Sequence, residues 1–129
     1  MKKEQIAALF ERFENAQYHL DNVECWSARD LQSIFNYVQW RNFTKVIDKA
    51  KESCQNAGNP VSDHFADVSK MVSLGSGAQR KVEDIAMTRY GCYLTVQNGD
   101  PAKEIIARGQ TYFAAQTRRH DAGGAAHAG

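Results

Sequence analysis

The sequence predicts an α+β fold that is mainly helical: about five helices, two of which form a helix-turn-helix-like pair, with one small β-hairpin, in a single domain. Three observations lead to this prediction. Apolar residues recur at three- and four-residue steps in several segments, as on the inner face of a helix. Two partly alternating segments flank a glycine-rich turn, which is typical of a hairpin. The length of 129 residues suits one domain with one modest core.

The first half of the chain is predicted to be helical with one short interruption. Residues 4–19 form an amphipathic helix, and residues 20–26 break its period, so a short extended piece fits there. Ser27, followed by Asp30 three residues later, resembles a capping box and begins a short helix. A longer helix over residues 40–56 completes the helix-turn-helix-like pair.

The predicted hairpin lies in the middle of the second half. A loop at 58–63 and a helical turn at 64–68 lead into it. Its strands cover residues 70–74 and 81–87, and they flank the turn Gly75-Ser76-Gly77-Ala78-Gln79-Arg80. The hairpin therefore has a basic tip that is rich in glycine.

Two helices are predicted after the hairpin. Thr88 caps the first, which ends at a left-handed Gly99, because glycine has no Cβ to clash at positive φ. Asp100 and Pro101 begin the second, which runs to about Arg119. Its inner stripe includes a glycine, Gly109, which indicates close packing.

These elements give one domain over residues 1–119. Residues 120–129 are rich in Gly and Ala and hold no large apolar side chain, so we expect a disordered tail.

Composition argues against a membrane protein, a metalloprotein and an enzyme. No apolar run reaches about 18 residues, and the N-terminus leads into an amphipathic segment, so we expect a cytoplasmic protein. The three cysteines and four histidines lack the spacing of metal ligands or of a disulfide framework, and we expect no cofactor. No nucleophile has the sequence context of a catalytic triad, so we expect no enzymatic activity.

The net charge of +1 is unevenly distributed. Residues 1–69 hold eight Lys/Arg and ten Asp/Glu, a balance of −2, whereas residues 70–119 hold eight and four, a balance of +4. A nearly neutral chain can thus present a basic face to an anion such as a nucleic acid.

Two groups of cations are candidate phosphate contacts. One lies on the polar face of the predicted helix 40–56, and the other surrounds the hairpin tip. Lysine and arginine at such positions neutralise phosphates. The alternative for both groups is an ordinary solvated surface, since an amphipathic helix or a turn needs a polar side whatever its function. The candidate residues are Arg41, Lys45, Lys70, Arg80, Lys81 and Arg89.

An ordered set of motifs carries a family resemblance. The motifs are Cys25-Trp26-Ser27-Ala28-Arg29-Asp30-Leu31, Asp63-His64-Phe65, Met71-Val72-Ser73-Leu74-Gly75-Ser76, Arg89-Tyr90-Gly91-Cys92-Tyr93-Leu94, Gln97-Asn98-Gly99-Asp100-Pro101-Ala102-Lys103 and Gly109-Gln110-Thr111-Tyr112-Phe113-Ala114. Together they resemble the bacterial DNA-damage-inducible protein D family, which is itself similar to the N-terminal domain of phage and baculovirus BRO proteins.

The resemblance implies a non-enzymatic protein of the DNA-damage (SOS) response that binds DNA as a regulator. It supplies no catalytic residues. The alternative is a protein-interaction module that modulates a recombination or repair protein, with an apolar or aromatic patch on the final helix as its working surface. The sequence departs from the family after the last motif, because the Gly/Ala-rich residues stand where members have a charged helical segment.

Overall fold

The computed structural model of the chain describes residues 2–124. Within that range it has five α-helices, one 3-10 turn at Val61–Asp63 and one four-stranded antiparallel sheet. The helices and strands are, in chain order, α1 (Lys3–Asn15), β1 (Tyr18–Leu20), β2 (Val23–Ser27), α2 (Ala28–Ile34), α3 (Trp40–Asn56), β3 (Phe65–Ser73), β4 (Gln79–Met87), α4 (Arg89–Gln97) and α5 (Glu104–Gly124).

The predicted fold class is wrong in its β part, because the structure has a four-stranded sheet where the sequence predicted one small β-hairpin. Four strands pair in the order β1-β2-β4-β3, so β4 is internal and both hairpins belong to one sheet. The β1–β2 turn has positive φ at Asp21 (51°) and Asn22 (67°), two residue types that tolerate the left-handed region. Strand β2 then reaches β4 through the pair Trp26 and Met87.

The start of β3 is a second correction. The helical turn predicted at 64–68 is wrong, because β3 begins at Phe65 and pairs with β4 from its first residue. Phe65 lies opposite Met87 in the ladder, and both side chains are buried in the core. The burial of one end of β3 overrides the weak helical pattern of a polar stretch.

The core lies between one face of the sheet and the helices, and aromatic rings fill its centre. Trp26 is fully buried, and its ring stacks on Phe13 with the centroids 4.6 Å apart. The indole Nε1 of Trp26 donates a hydrogen bond to the Phe13 carbonyl at 2.6 Å, so this buried polar group is satisfied. Phe113 of α5 meets Phe13 edge-on at 5.2 Å. These contacts hold α1 and α5 against β2.

The α4–α5 junction differs from its prediction. Thr88 caps α4 as expected, because its hydroxyl accepts a bond from the Gly91 amide. Gly99, however, does not have positive φ. It is needed for space, since a Cβ there would lie 2.9 Å from Ile106 Cγ2. Asp100 makes a turn before α5, in which its carboxylate accepts from the Ala102 amide at 2.9 Å, and α5 begins only at Glu104.

Helix α5 extends beyond its predicted end near Arg119, since the helical backbone continues to Gly124. The rest of the predicted tail, residues 125–129, lies outside the described residues. Among residues 2–124, no helix combines the length and the apolar character that crossing a bilayer requires.

Arg89, the first residue of α4, connects several elements. Its guanidinium contacts Glu14 of α1 at 2.6 Å and Glu24 of β2 at 3.3 Å, and it lies 4.9 Å from the centroid of the Trp26 ring. Glu14 also accepts hydrogen bonds from Tyr112 and Gln116 of α5. Hydrogen bonding from Arg89, supported by Tyr112 and Gln116, lowers the pKa of Glu14 to about 2.

We expect Gly109→Ala to destabilise the protein, although alanine normally favours an exposed helix by about 1 kcal/mol over glycine. A Cβ at this position would lie 2.6 Å from Phe35 Cε1 and 3.0 Å from Val96 Cγ1, and both side chains are buried. Overpacking of this kind costs about 1–3 kcal/mol, which urea denaturation measures. The double variant Gly109→Ala/Phe35→Leu should lose less stability than the sum of the losses in the two single variants, because the smaller side chain at position 35 leaves room for the new Cβ. An increase in the stability of Gly109→Ala would contradict the close packing.

We expect Glu14→Gln to lower stability at neutral pH, with a loss that depends on pH. The pKa of Glu14 in the folded state, about 2, lies below its ordinary value of 4.5. The stabilisation from its carboxylate is therefore complete above pH 4.5 and disappears as the pH falls toward 2. The difference in the free energy of unfolding between Glu14→Gln and wild type should disappear as the pH falls through that window. The variant Glu11→Gln, at an exposed position, should differ little from wild type at any pH. A gap that does not change with pH would contradict this role.

Candidate nucleic-acid interface

The candidate interface is built on a long two-stranded ribbon, which we call the arm: β3, β4 and the turn between them. The two strands pair in register over nine residue pairs, from Phe65 opposite Met87 to Ser73 opposite Gln79. The Leu74 amide closes the turn by donating to the Ala78 carbonyl at 3.0 Å. Gly75 and Gly77 have φ of 79° and 83°, so this turn requires glycine at both positions.

The base of the arm is fixed to α2 and α3. Asp84, which is only 4% exposed, accepts hydrogen bonds from the Ser27 hydroxyl at 2.5 Å and from the Arg29 amide at 3.1 Å. The Arg29 side chain donates to the Glu83 carbonyl at 2.7 Å, and the Trp40 indole donates to the Glu83 carboxylate at 3.2 Å. These four bonds hold the base of the arm in a defined position, whereas residues 73–81 are exposed.

Two of the six predicted contact residues are engaged by acids. Lys70 Nζ lies 2.5 Å from an oxygen of Asp30, at the base of the arm. Arg89 is held between Glu14 and Glu24, on the α1–α4–α5 side of the molecule. A phosphate would have to compete with these carboxylates for either side chain.

Arg80 and Lys81 are the exposed cations of the arm. In the part of the chain that the structure describes, neither forms an ion pair. Side chains alternate between the two faces of a strand, so these neighbours point to opposite faces. Arg80 lies opposite Val72, and Lys81 lies opposite Met71. The arm therefore carries positive charge on both faces instead of in a single row.

Arg41 and Lys45 lie on the exposed face of α3, as predicted. The buried face of α3 consists of Phe43, Ile47, Ala50 and Cys54. Trp40, the residue before Arg41, contacts Glu83, and Lys81 lies two residues from Glu83 on the same face of β4. The beginning of α3 therefore lies against the base of the arm.

Three residues of this region were missed by sequence reasoning. The Arg29 guanidinium lies over the Trp40 ring, 4.1 Å from its centroid, beside the base of the arm. Met71 and Leu74 are 54% and 55% exposed on the arm. The sequence signal for Met71 and Leu74 is the presence of large apolar residues beside a predicted exposed turn. The same pattern is typical of an ordinary strand, so it did not identify them as part of the site.

A cleft of about 160 Å³ lies between the β1–β2 turn and the 3-10 turn. His64 and Thr88 line it, and His64 Nδ1 lies 2.7 Å from the Thr88 hydroxyl. Since that hydroxyl also caps α4, the pair serves the start of the helix. Among the residues that the structure describes, no group of three or more His, Cys, Asp or Glu side chains is placed to hold a metal ion.

Comparison with known proteins identifies a related family. The model of the BRO family N-terminal domain matches residues 16–114. DNA damage-inducible protein D of Escherichia coli (strain K12) is 52% identical over 101 residues, which are 78% of this chain and 37% of that protein. The chain thus spans little more than a third of the length of this relative. No solved structure matches the chain.

The family match begins just before β1 and ends within α5, so it includes the whole sheet, the arm and the helices α2, α3 and α4. It covers well over half of the chain. The chain therefore belongs to the family of BRO N-terminal domains, and it is similar to DNA damage-inducible protein D, as its sequence motifs indicated.

Proposed function

We propose that this chain is a non-enzymatic DNA-binding domain that acts in a DNA-damage (SOS) response. The similarity to DNA damage-inducible protein D supports the link to DNA damage. The observation that carries DNA binding is the arm, whose exposed end presents Arg80 and Lys81 on opposite faces, and neither forms an ion pair with an acid among the described residues. A two-stranded ribbon is one of the elements that a DNA groove admits.

The proposed contacts are not equal. Arg80 and Lys81 supply the main phosphate contacts, and Arg41 and Lys45 on α3 extend the surface from the base of the arm. Lys70 and Arg89 receive the smallest share, because Asp30, Glu14 and Glu24 already compensate their charge. Binding energy from such contacts comes largely from the release of counterions, so it depends on salt.

The alternative proposal is a protein-interaction domain that modulates a recombination or repair protein. Its predicted surface is an exposed apolar or aromatic patch on the final helix. Phe113 is 2% exposed, and Tyr112 stacks on Phe10 with the centroids 4.0 Å apart. These rings are used in packing, which favours DNA binding through the arm.

We expect the full chain to bind a short fluorescent DNA duplex with an affinity that falls steeply as salt is raised. Each neutralised phosphate contributes about −0.9 to the slope of log K against log salt concentration. Arg80→Ala/Lys81→Ala should therefore flatten the slope by about 1.8 units. Fluorescence anisotropy at a series of salt concentrations measures this.

A matched control removes two exposed cations elsewhere. Lys3→Ala/Arg12→Ala, on α1, lowers the net charge by the same amount and should leave the slope close to that of wild type. Equal flattening in both double variants would show a general charge effect and would count against the arm. Binding by the wild type that does not change with salt would count against phosphate contact altogether.

A further inference from the structure

The outer part of the arm, residues 71–81, has an unusual combination of side chains for an exposed ribbon. It contains two cations and no carboxylate. It also holds two of the five exposed large hydrophobic side chains among the described residues, Met71 at 54% and Leu74 at 55%. Apolar side chains that lie together on a surface and are rimmed by polar residues mark interaction sites.

The register places an apolar side chain beside each cation. Met71 lies directly opposite Lys81, and Val72 lies directly opposite Arg80 on the other face. Directly opposed residues of an antiparallel pair are close enough to act on one ligand together. Each face of the arm can therefore contact a phosphate and an apolar surface at the same time.

Leu74 directly follows the last residue of β3 and precedes the glycine turn. Its amide donates to the Ala78 carbonyl at 3.0 Å, so its backbone is held by the bond that closes the turn. The five residues that follow, Gly75-Ser76-Gly77-Ala78-Gln79, are small or polar, so nothing bulky shields Leu74 at the tip. The leucine is both exposed and positioned.

We propose that the tip of the arm enters the minor groove of duplex DNA and that Leu74 wedges between adjacent base pairs while Arg80 and Lys81 contact the phosphates on either side. This proposal rests on DNA binding by the arm. Leucine and methionine are among the side chains that proteins insert at base steps from the minor groove, which unstacks the step and kinks the duplex. Charge complementarity selects the polyanion, since residues 71–81 carry no negative side chain.

The proposal also predicts which DNA is preferred. Unstacking costs least where stacking is already weakened, as at an abasic site or a mismatch. A wedge at Leu74 would thus favour such duplexes over intact ones without reading a base sequence. The ligand class is therefore duplex DNA with a locally weakened stack.

The test compares an intact duplex with one that carries a single abasic site. Both duplexes carry 2-aminopurine at the same position, which in the second duplex is next to the abasic site. We expect wild type to bind the abasic duplex about tenfold more tightly and to raise the 2-aminopurine fluorescence, which reports unstacking. Leu74→Ala should lose most of this preference and the fluorescence change, while its salt slope stays the same. Leu20→Ala makes the same substitution on the other hairpin, at a side chain that is 38% exposed, and should retain both.

The outcomes separate this proposal from DNA binding itself. If wild type binds DNA with a salt slope that Arg80→Ala/Lys81→Ala flattens, but Leu74→Ala keeps the preference and the fluorescence change, the wedge is overturned and DNA binding stands. If wild type binds neither duplex, both fail. Binding to phosphatidylserine vesicles that requires Leu74, without any preference between the duplexes, would overturn the wedge in favour of a membrane-inserting arm. Melting curves of each variant confirm that it is folded.

Discussion

The antiparallel ladder between β3 and β4 is the constraint on which the rest of the structure depends. Its nine pairs in register decide which side chains share a face. At one end the ladder places Phe65 and Met87 in the core, and at the other it separates Arg80 from Lys81. If β4 slipped by one residue against β3, Met87 would turn away from the core and Arg80 and Lys81 would exchange faces. One register therefore specifies both the core and the candidate interface.

The two ends of the arm have different physical characters because different contacts surround them. At the base, a buried carboxylate, Asp84, and the neighbouring Glu83 accept hydrogen bonds from α2 and α3, which fixes the direction of the arm. At the tip, the chain is exposed and turns through two left-handed glycines. A projecting ribbon with a fixed base is suited to reach a partner.

Much of the helical fold could be predicted from the sequence, because helix periodicity and capping are local signals. Ser27 and Thr88 cap α2 and α4 as predicted, and Phe43 and Ile47 face the core as predicted. The sheet could not be predicted in full. Strands β1 and β2 have three and five residues, too few to show a clear alternation, and the pair of Trp26 with Met87 joins residues that are distant in the sequence. The reason for glycine at position 99 could not be predicted either. Glycine is needed there because a Cβ would lie too close to Ile106, and its φ is not positive.

The candidate site was predictable as a set of cations but not as a surface. The sequence gives the number of charged residues in a segment. The acidic partners of Lys70 and Arg89, however, lie on α2, α1 and β2 and reach these cations only when the chain folds. Only the register shows that Arg80 and Lys81 point apart and that each has an apolar neighbour. The acids that compensate a cation are thus the part of an electrostatic prediction that depends most on tertiary structure.

The central claim is that the arm is the element that contacts DNA. The most direct measurement is the change in backbone amide NMR shifts when duplex DNA is added to the full chain. The account predicts that the largest changes fall on residues 71–81, with smaller ones in the first turns of α3 and none in the core of α1. Large changes in α1 and α5, with the amides of the arm unaffected, would contradict it.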